Sequence, residues 1–155
     1  MLFYDDILEE ATDYIQEEII GEARKFDMEE EFPVRHFRYF AEELKIFELI
    51  TSYPDSERAF RTFLEIIRLL SIEFSSLASI IFTQAIYAIW LLKTFGSAEQ
   101  KEAYLDDLIS CKKIGAFAFS EKDISLDRHQ PETIARQTET GWIVIGKKTW
   151  CPMPP

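Results

Sequence analysis

The chain is 155 residues long, 47% hydrophobic and 14% aromatic with thirteen Phe, which is enough to bury the core of one ordinary domain or of one domain and part of another. That composition excludes intrinsic disorder. A formal net charge of −11 argues against nucleic acid and against an anionic membrane surface, since both draw on clustered Lys and Arg.

Residues 2–25 read as an amphipathic helix. Leu2, Ile7, Leu8, Ala11, Tyr14, Ile15, Ile19 and Ile20 recur at three-and-four spacing, with acids on the opposite face. The polar stretch "KFDMEEEFP" breaks it, and Pro33 suits the first turn of a second helix running to about Ile50. "TSYPDSE" carries turn residues and an N-cap at Asp55 or Ser56 for a third helix over about 57–71. A fourth spans about 75–94, and Gly96 ends it. Ser97-Ala98-Glu99-Gln100 is a capping box for a fifth helix that closes near Ser110. Thereafter the period changes: residues 113–119, 132–138 and 142–150 have strand character, with a turn at Thr140-Gly141. Helices followed by strands predict an α+β chain in two units, a helical bundle over 1–111 and the beginning of a β domain over 112–155.

The fourth segment carries no charge from Phe74 to Leu92, a length approaching a bilayer span. Its Ser75, Ser76, Ser79, Thr83 and Gln84, with flanks poor in basic residues, favour a helix packed by protein, so no membrane span is expected. Cys111 and Cys151 lack metal-site spacing, and "MLFYDDILEE" is acidic where a signal peptide is basic, so a reduced, cytoplasmic protein is expected. Lys112 and Lys113 could lower the Cys111 pKa, but a bystander thiol is the preferred reading. His36 and His129 have no ligand partners and are expected at the surface or in loops. Asp106-Asp107 and Glu42-Glu43 diverge on their helices as solvated faces.

Two segments, in this order after four helices, resemble the acyl-CoA dehydrogenase family. "FGSAEQKEAYLDDLISCKKIGAFAFSE" is similar to that family's G-x-x-x-Q-K-x-x-Y-L helix and the small-aromatic strand ending in Thr-Glu or Ser-Glu. "TIARQTETGWIVIGKKTW" is similar to its Ala-containing strand, Gly turn and N-G-x-K-x-W strand. The resemblance implies a flavoprotein oxidoreductase of fatty acid metabolism that oxidises the Cα–Cβ bond of an acyl-CoA thioester with FAD. A Glu in a C-terminal helical domain removes the α-proton there, and the flavin takes the β-hydride.

Residue by residue, Phe117, Phe119 and Ser120 match strand positions near the flavin ring, and Trp150 matches the tryptophan packed against it. Thr83, Gln84 and Tyr87 fall where the family walls its acyl chamber; polar groups satisfied inside a bundle are the competing reading. The family's Gly-Ser for the cofactor and substrate phosphates is replaced by Ser125 and Leu126, which crowd a pyrophosphate and remove a hydroxyl. Ile145 stands for the Asn before Gly, and Cys151-Pro152 for Ile-Thr.

No carboxylate matches the catalytic Glu by motif. The chain is therefore expected to be a truncated, N-terminal portion, inactive alone, with strands that lack partners and either a homo-oligomer or a complementing chain around it. The alternative is a degenerate, non-enzymatic helical interaction module, suggested by the altered Gly-Ser pattern and the acidic surface.

Overall fold

The computed structural model describes residues 4–51, 56–122 and 130–151. Its packing divides the chain into two compact units, Met1–Gly115 and Ala116–Pro155. The first is helical and the second holds an antiparallel strand pair, an α+β architecture.

In the helical unit, α1 (Tyr4–Tyr14) continues as a π-helical stretch, Ile15–Ile19. Ile7, Ala11, Ile15 and Ile19 form one buried stripe at every fourth residue, as an amphipathic pattern requires. The expected single helix over 2–25 is interrupted. Ile20 leaves the helical region and Gly21 takes φ 89°, a conformation that costs glycine little, before α2 (Ala23–Glu29) begins. The second expected helix is broken as well. It is α3 (Val34–Arg38), a π-helical stretch Tyr39–Glu43, a turn in which Lys45 has φ 51°, and the short α4 (Glu48–Thr51). Pro33 sits one residue before the helix, where its carbonyl accepts from the Phe37 amide at 2.9 Å.

The long helix α5 (Ser56–Glu73) buries Ala59, Phe63, Ile66 and Leu70 and packs on α1, α4 and α6. Burying Phe63 alone is worth about 1.5–3 kcal/mol. Asp55 lies outside the described residues. The uncharged helix is α6 (Ser75–Phe82), a π-helical stretch Thr83–Trp90 and α7 (Leu91–Phe95). By length and composition, Ser75–Phe95 is apolar enough to cross a membrane. Leu77, Ala78, Ile81, Ala85 and Ile89 nevertheless lie in the core beside Phe40, Phe47, Phe63 and Phe74. The helix ends at Gly96, whose backbone is extended, and a Cβ there would stand 2.5 Å from the Leu92 carbonyl. The capping box forms as expected: Ser97 Oγ accepts from the Gln100 amide at 3.2 Å, and Gln100 Oε1 accepts from the Ser97 amide at 2.9 Å, opening α8 (Ala98–Ile109).

The expected strand over 113–119 forms no ladder. No neighbouring strand flanks it among the described residues; the Lys113 carbonyl and the Gly115 amide pair with the Gln84 side chain, the Phe119 carbonyl accepts from Lys148 Nζ, and the Lys113 amide donates to the Asp107 carbonyl. In the second unit, β1 (Ile134–Thr138) pairs antiparallel with β2 (Gly141–Ile145), Ile134 opposite Ile145 and Thr138 opposite Gly141. Gly141 at φ 152° closes the turn. The ladder ends at Ile145, five residues short of the expected boundary. One step further Gly146 passes so close to Thr133 that a Cβ would lie 2.6 Å from the Thr133 Cα. Every residue of both strands is exposed, so the uncovered apolar face expected of unpartnered strands is present, with Trp142 at 65% and Val144 at 69%.

Candidate functional site

The flavin-position candidates Phe117, Phe119, Ser120 and Trp150 all lie in the second unit. Phe117 and Phe119, two residues apart, stack with centroids 5.5 Å apart and planes 10° from parallel. The Ser120 carbonyl accepts from the Thr149 amide at 2.8 Å, which fixes Trp150 one residue from that contact. Trp150 is 89% exposed and holds φ 53°, a rare backbone state for a bulky residue. The Thr149 hydroxyl, like that of Thr133, is buried with no hydrogen-bond partner among the described residues. Ser125 and Leu126 lie outside the described residues.

Glu121, the Glu that ends the Ser-Glu motif, is the hub of this region. Its Oε1 accepts from the Thr133 amide at 3.0 Å and its Oε2 from the Glu132 amide at 2.7 Å. Lys148 Nζ donates to Glu121 Oε1 at 2.7 Å and to the Phe119 carbonyl at 3.0 Å. Lys148, followed by Thr133 and the Glu132 amide, pulls the Glu121 carboxyl down to about 2. The signal available in the sequence was the pairing of Ser-Glu in one motif with Gly-x-Lys in the other. Neither motif alone shows that they bond.

In the helical unit, Thr83, Gln84 and Tyr87 all lie on the π-helical stretch. Gln84 is fully buried, and its amide is spent on backbone: Nε2 donates to the Leu108 carbonyl at 2.8 Å and the Lys113 carbonyl at 3.2 Å, while Oε1 accepts from the Gly115 amide at 2.8 Å. Gly115 itself is pressed onto the helix, since a Cβ there would meet the Ala88 Cβ at 2.2 Å. Thr83 is buried, and Tyr87 is 39% exposed with its ring edge-on to Phe82. A cavity of about 440 Å³ between Leu49, Ile50, Phe60, Ile86, Trp90 and Lys93 contains none of these three.

One expectation needs correction. His36 is fully buried, not at the surface: its Nδ1 is 2.9 Å from the Tyr14 hydroxyl and its Nε2 2.9 Å from Glu22 Oε2, so both ring nitrogens find polar partners. Cys111 agrees with the bystander reading, since neither Lys112 nor Lys113 is a cause of its shift. Burial, and then Glu42, pushes its thiol up to about 12. Asp107, partly exposed on its helix, pairs with Lys113 Nζ. Among the described residues no cluster of His, Cys, Asp or Glu is suited to a metal ion.

A helical bundle followed by an antiparallel strand pair is the order of elements in this chain. Residues 4–112 match the family described as "Acyl-CoA dehydrogenase, N-terminal domain", and the chain belongs to the acyl-CoA dehydrogenase family. It is similar to the human short-chain specific acyl-CoA dehydrogenase, mitochondrial, with 41% identity over 56 residues, 36% of this chain and 14% of that protein. Its fold is similar to that of a glutaryl-coenzyme A dehydrogenase in complex with glutaryl-CoA (TM-score 0.84, 20% identity, 97% of this chain and 40% of that one). It is also similar to PigA with FAD and proline (TM-score 0.75, 21% identity, 96% of this chain and 39% of that one). The chain thus spans well under half the length of the proteins it matches.

Proposed function

We propose that this chain supplies the flavin-facing segment and an acyl-side helix of an FAD-dependent acyl-CoA dehydrogenase, acting on the Cα–Cβ bond of an acyl-CoA thioester. The observation that carries the reading is the bond from the Thr149 amide to the Ser120 carbonyl, which brings Ser120, the Phe117–Phe119 pair and Trp150 into one region. The donor set fits a flavin. Stacked aromatic rings and an indole suit a flat heteroaromatic ring system, and the buried, unpartnered Thr149 hydroxyl suits a polar ring edge. FAD, when bound, supplies the acceptor for the hydride that leaves Cβ.

This chain's own residues bind and orient. Phe117 and Phe119 present their rings, Ser120 offers a hydroxyl, and Tyr87 is the acyl-side candidate whose ring reaches the surface. Gln84, with its amide committed to backbone, holds residues 113–115 in place. The α-proton goes to a base that the family resemblance assigns to a C-terminal helical domain, so turnover by these residues alone is not part of the proposal. The test is titration of the purified chain with FAD, followed by flavin fluorescence and the visible absorption bands. Saturable binding supports the reading. Its absence, with self-association in light scattering, favours the non-enzymatic interaction module, to which the exposed apolar hairpin residues point.

A further inference from the structure

We infer that Glu121 and Lys148 form a positioning pair for the cofactor, holding Ser120 and Trp150 in the mutual register that a flavin requires; the inference rests on the FAD-binding reading above. Three segments far apart in sequence meet at this pair. Glu121 gathers the amides of Glu132 and Thr133, at the entry to β1, while Lys148 bridges Glu121 and the Phe119 carbonyl. Both side chains are withdrawn from water, Glu121 to 5% exposure and Lys148 to 25%. A pair so placed is screened little by salt and keeps its geometry.

The need for such a device follows from the backbone. The β1–β2 ladder stops at Ile145, so among the described residues, 147–150 have no ladder partner, yet Trp150 holds a left-handed conformation that a bulky side chain resists. That segment is tied to residues 119–121 by the Thr149 amide on the Ser120 carbonyl and by the Lys148 ammonium on the Phe119 carbonyl and the Glu121 carboxylate. Lysine suits the place because its three N–H donors let one compact charge serve a carbonyl and a carboxylate together. Neither residue is required to touch the flavin. Their action runs through Ser120 and Trp150.

The experiment compares FAD affinity in the full chain and in Lys148→Met, Lys148→Arg and Glu121→Gln, by fluorescence titration. Hydrogen exchange at the Thr149 amide and at the β1–β2 amides is followed in parallel. Lys148→Met and Glu121→Gln are expected to weaken FAD on the order of tenfold and to expose the Thr149 amide while the hairpin amides stay protected. Lys148→Arg is expected to recover most of the affinity by keeping the charge and a second donor. Wild-type affinity in Lys148→Met overturns the positioning role alone. Lost protection across the hairpin in both Lys148→Met and Glu121→Gln also overturns it, since the pair would then be holding the fold rather than the register. If the wild-type chain binds no FAD, the cofactor reading falls and this role falls with it.

Discussion

Replacing Gln84 by Leu tests how far a buried polar side chain governs the end of the helical unit. The two side chains have similar volumes, and Gln84 is fully buried, so the change removes hydrogen bonds with little change of packing. Three bonds disappear. The Leu108 carbonyl keeps another donor in the Cys111 amide at 3.3 Å, but the Gly115 amide and the Lys113 carbonyl lose the partner that Gln84 gave them. An unsatisfied buried group costs about 1–3 kcal/mol, and partial access to water at the edge of the unit lowers the sum, so a loss of about 2–4 kcal/mol is expected. Urea unfolding followed by far-UV circular dichroism measures it, with the slope of the transition unchanged. Gln84→Glu adds a sign test. A carboxylate would face two carbonyls, so only the protonated acid can donate, and its pKa in the folded state must rise. A raised folded pKa gives stability that is present below the unfolded value of about 4.3 and lost as pH climbs through the folded value. Gln84→Glu should therefore be closest to wild type in acid. A loss below about 1 kcal/mol in Gln84→Leu, or a pH-independent Gln84→Glu, refutes the clamp.

Glu121 titrates near 2 in the fold against an ordinary 4.5, so the stability its pair contributes is complete above the higher value and disappears as pH falls towards the lower one. Carboxyl carbon NMR of Glu121, with exchange at the Glu132 and Thr133 amides, should show that window, and a midpoint at its ordinary value would contradict it. Gly146→Ala places a methyl against the Thr133 backbone and should destabilise the hairpin by about 1–3 kcal/mol, read as faster exchange at Ile134 and Ile145. Cys111, with its thiol pushed to about 12, should alkylate at pH 8 at least about tenfold more slowly than the exposed Cys151. Phe63→Ala, in the fully buried core, should cost about 3–5 kcal/mol in the same urea assay.

The helices were legible in the sequence wherever apolar spacing ran uninterrupted. α5 and α8 fall within about two residues of their expected bounds, the latter because Ser97 and Gln100 mark its start chemically. The breaks were less visible. Nothing in the apolar spacing of residues 2–25 shows that Gly21 takes a positive φ, nor that Lys45 does so within the second helix. The run over 113–119 alternates like a strand, but alternation reports which side chains could share a face, and a ladder also needs a neighbour. His36 was misplaced for a related reason. Its partners Tyr14 and Glu22 stand 22 and 14 residues away, on segments that only the folded bundle brings together. The aromatic and hydroxyl candidates Phe117, Phe119, Ser120 and Trp150 could be named from motif, while Glu121 and Lys148 emerged only once two motifs met in space.

These polar side chains share a placement that explains why sequence pattern undervalues them. Gln84 ends on the backbone of residues 108–115, just where α8 stops supplying its own hydrogen bonds. Glu121 takes two amides immediately before β1 starts. His36 joins Tyr14 at the end of α1 to Glu22 across the break at Gly21. Each sits where regular structure leaves backbone or side-chain polar groups to be satisfied, and each meets that demand from a distant segment. The consequence for mutagenesis is that the damage should appear at the segment served. Substituting Gln84 should be felt at Lys113 and Gly115 more than along its own helix, whose apolar stripe through Leu77, Ile81, Ala85 and Ile89 remains intact. Amide exchange resolved by residue separates the two cases. Uniform loosening from Ser75 to Phe95 would mean that the helix, and not the segment it clamps, depends on that amide.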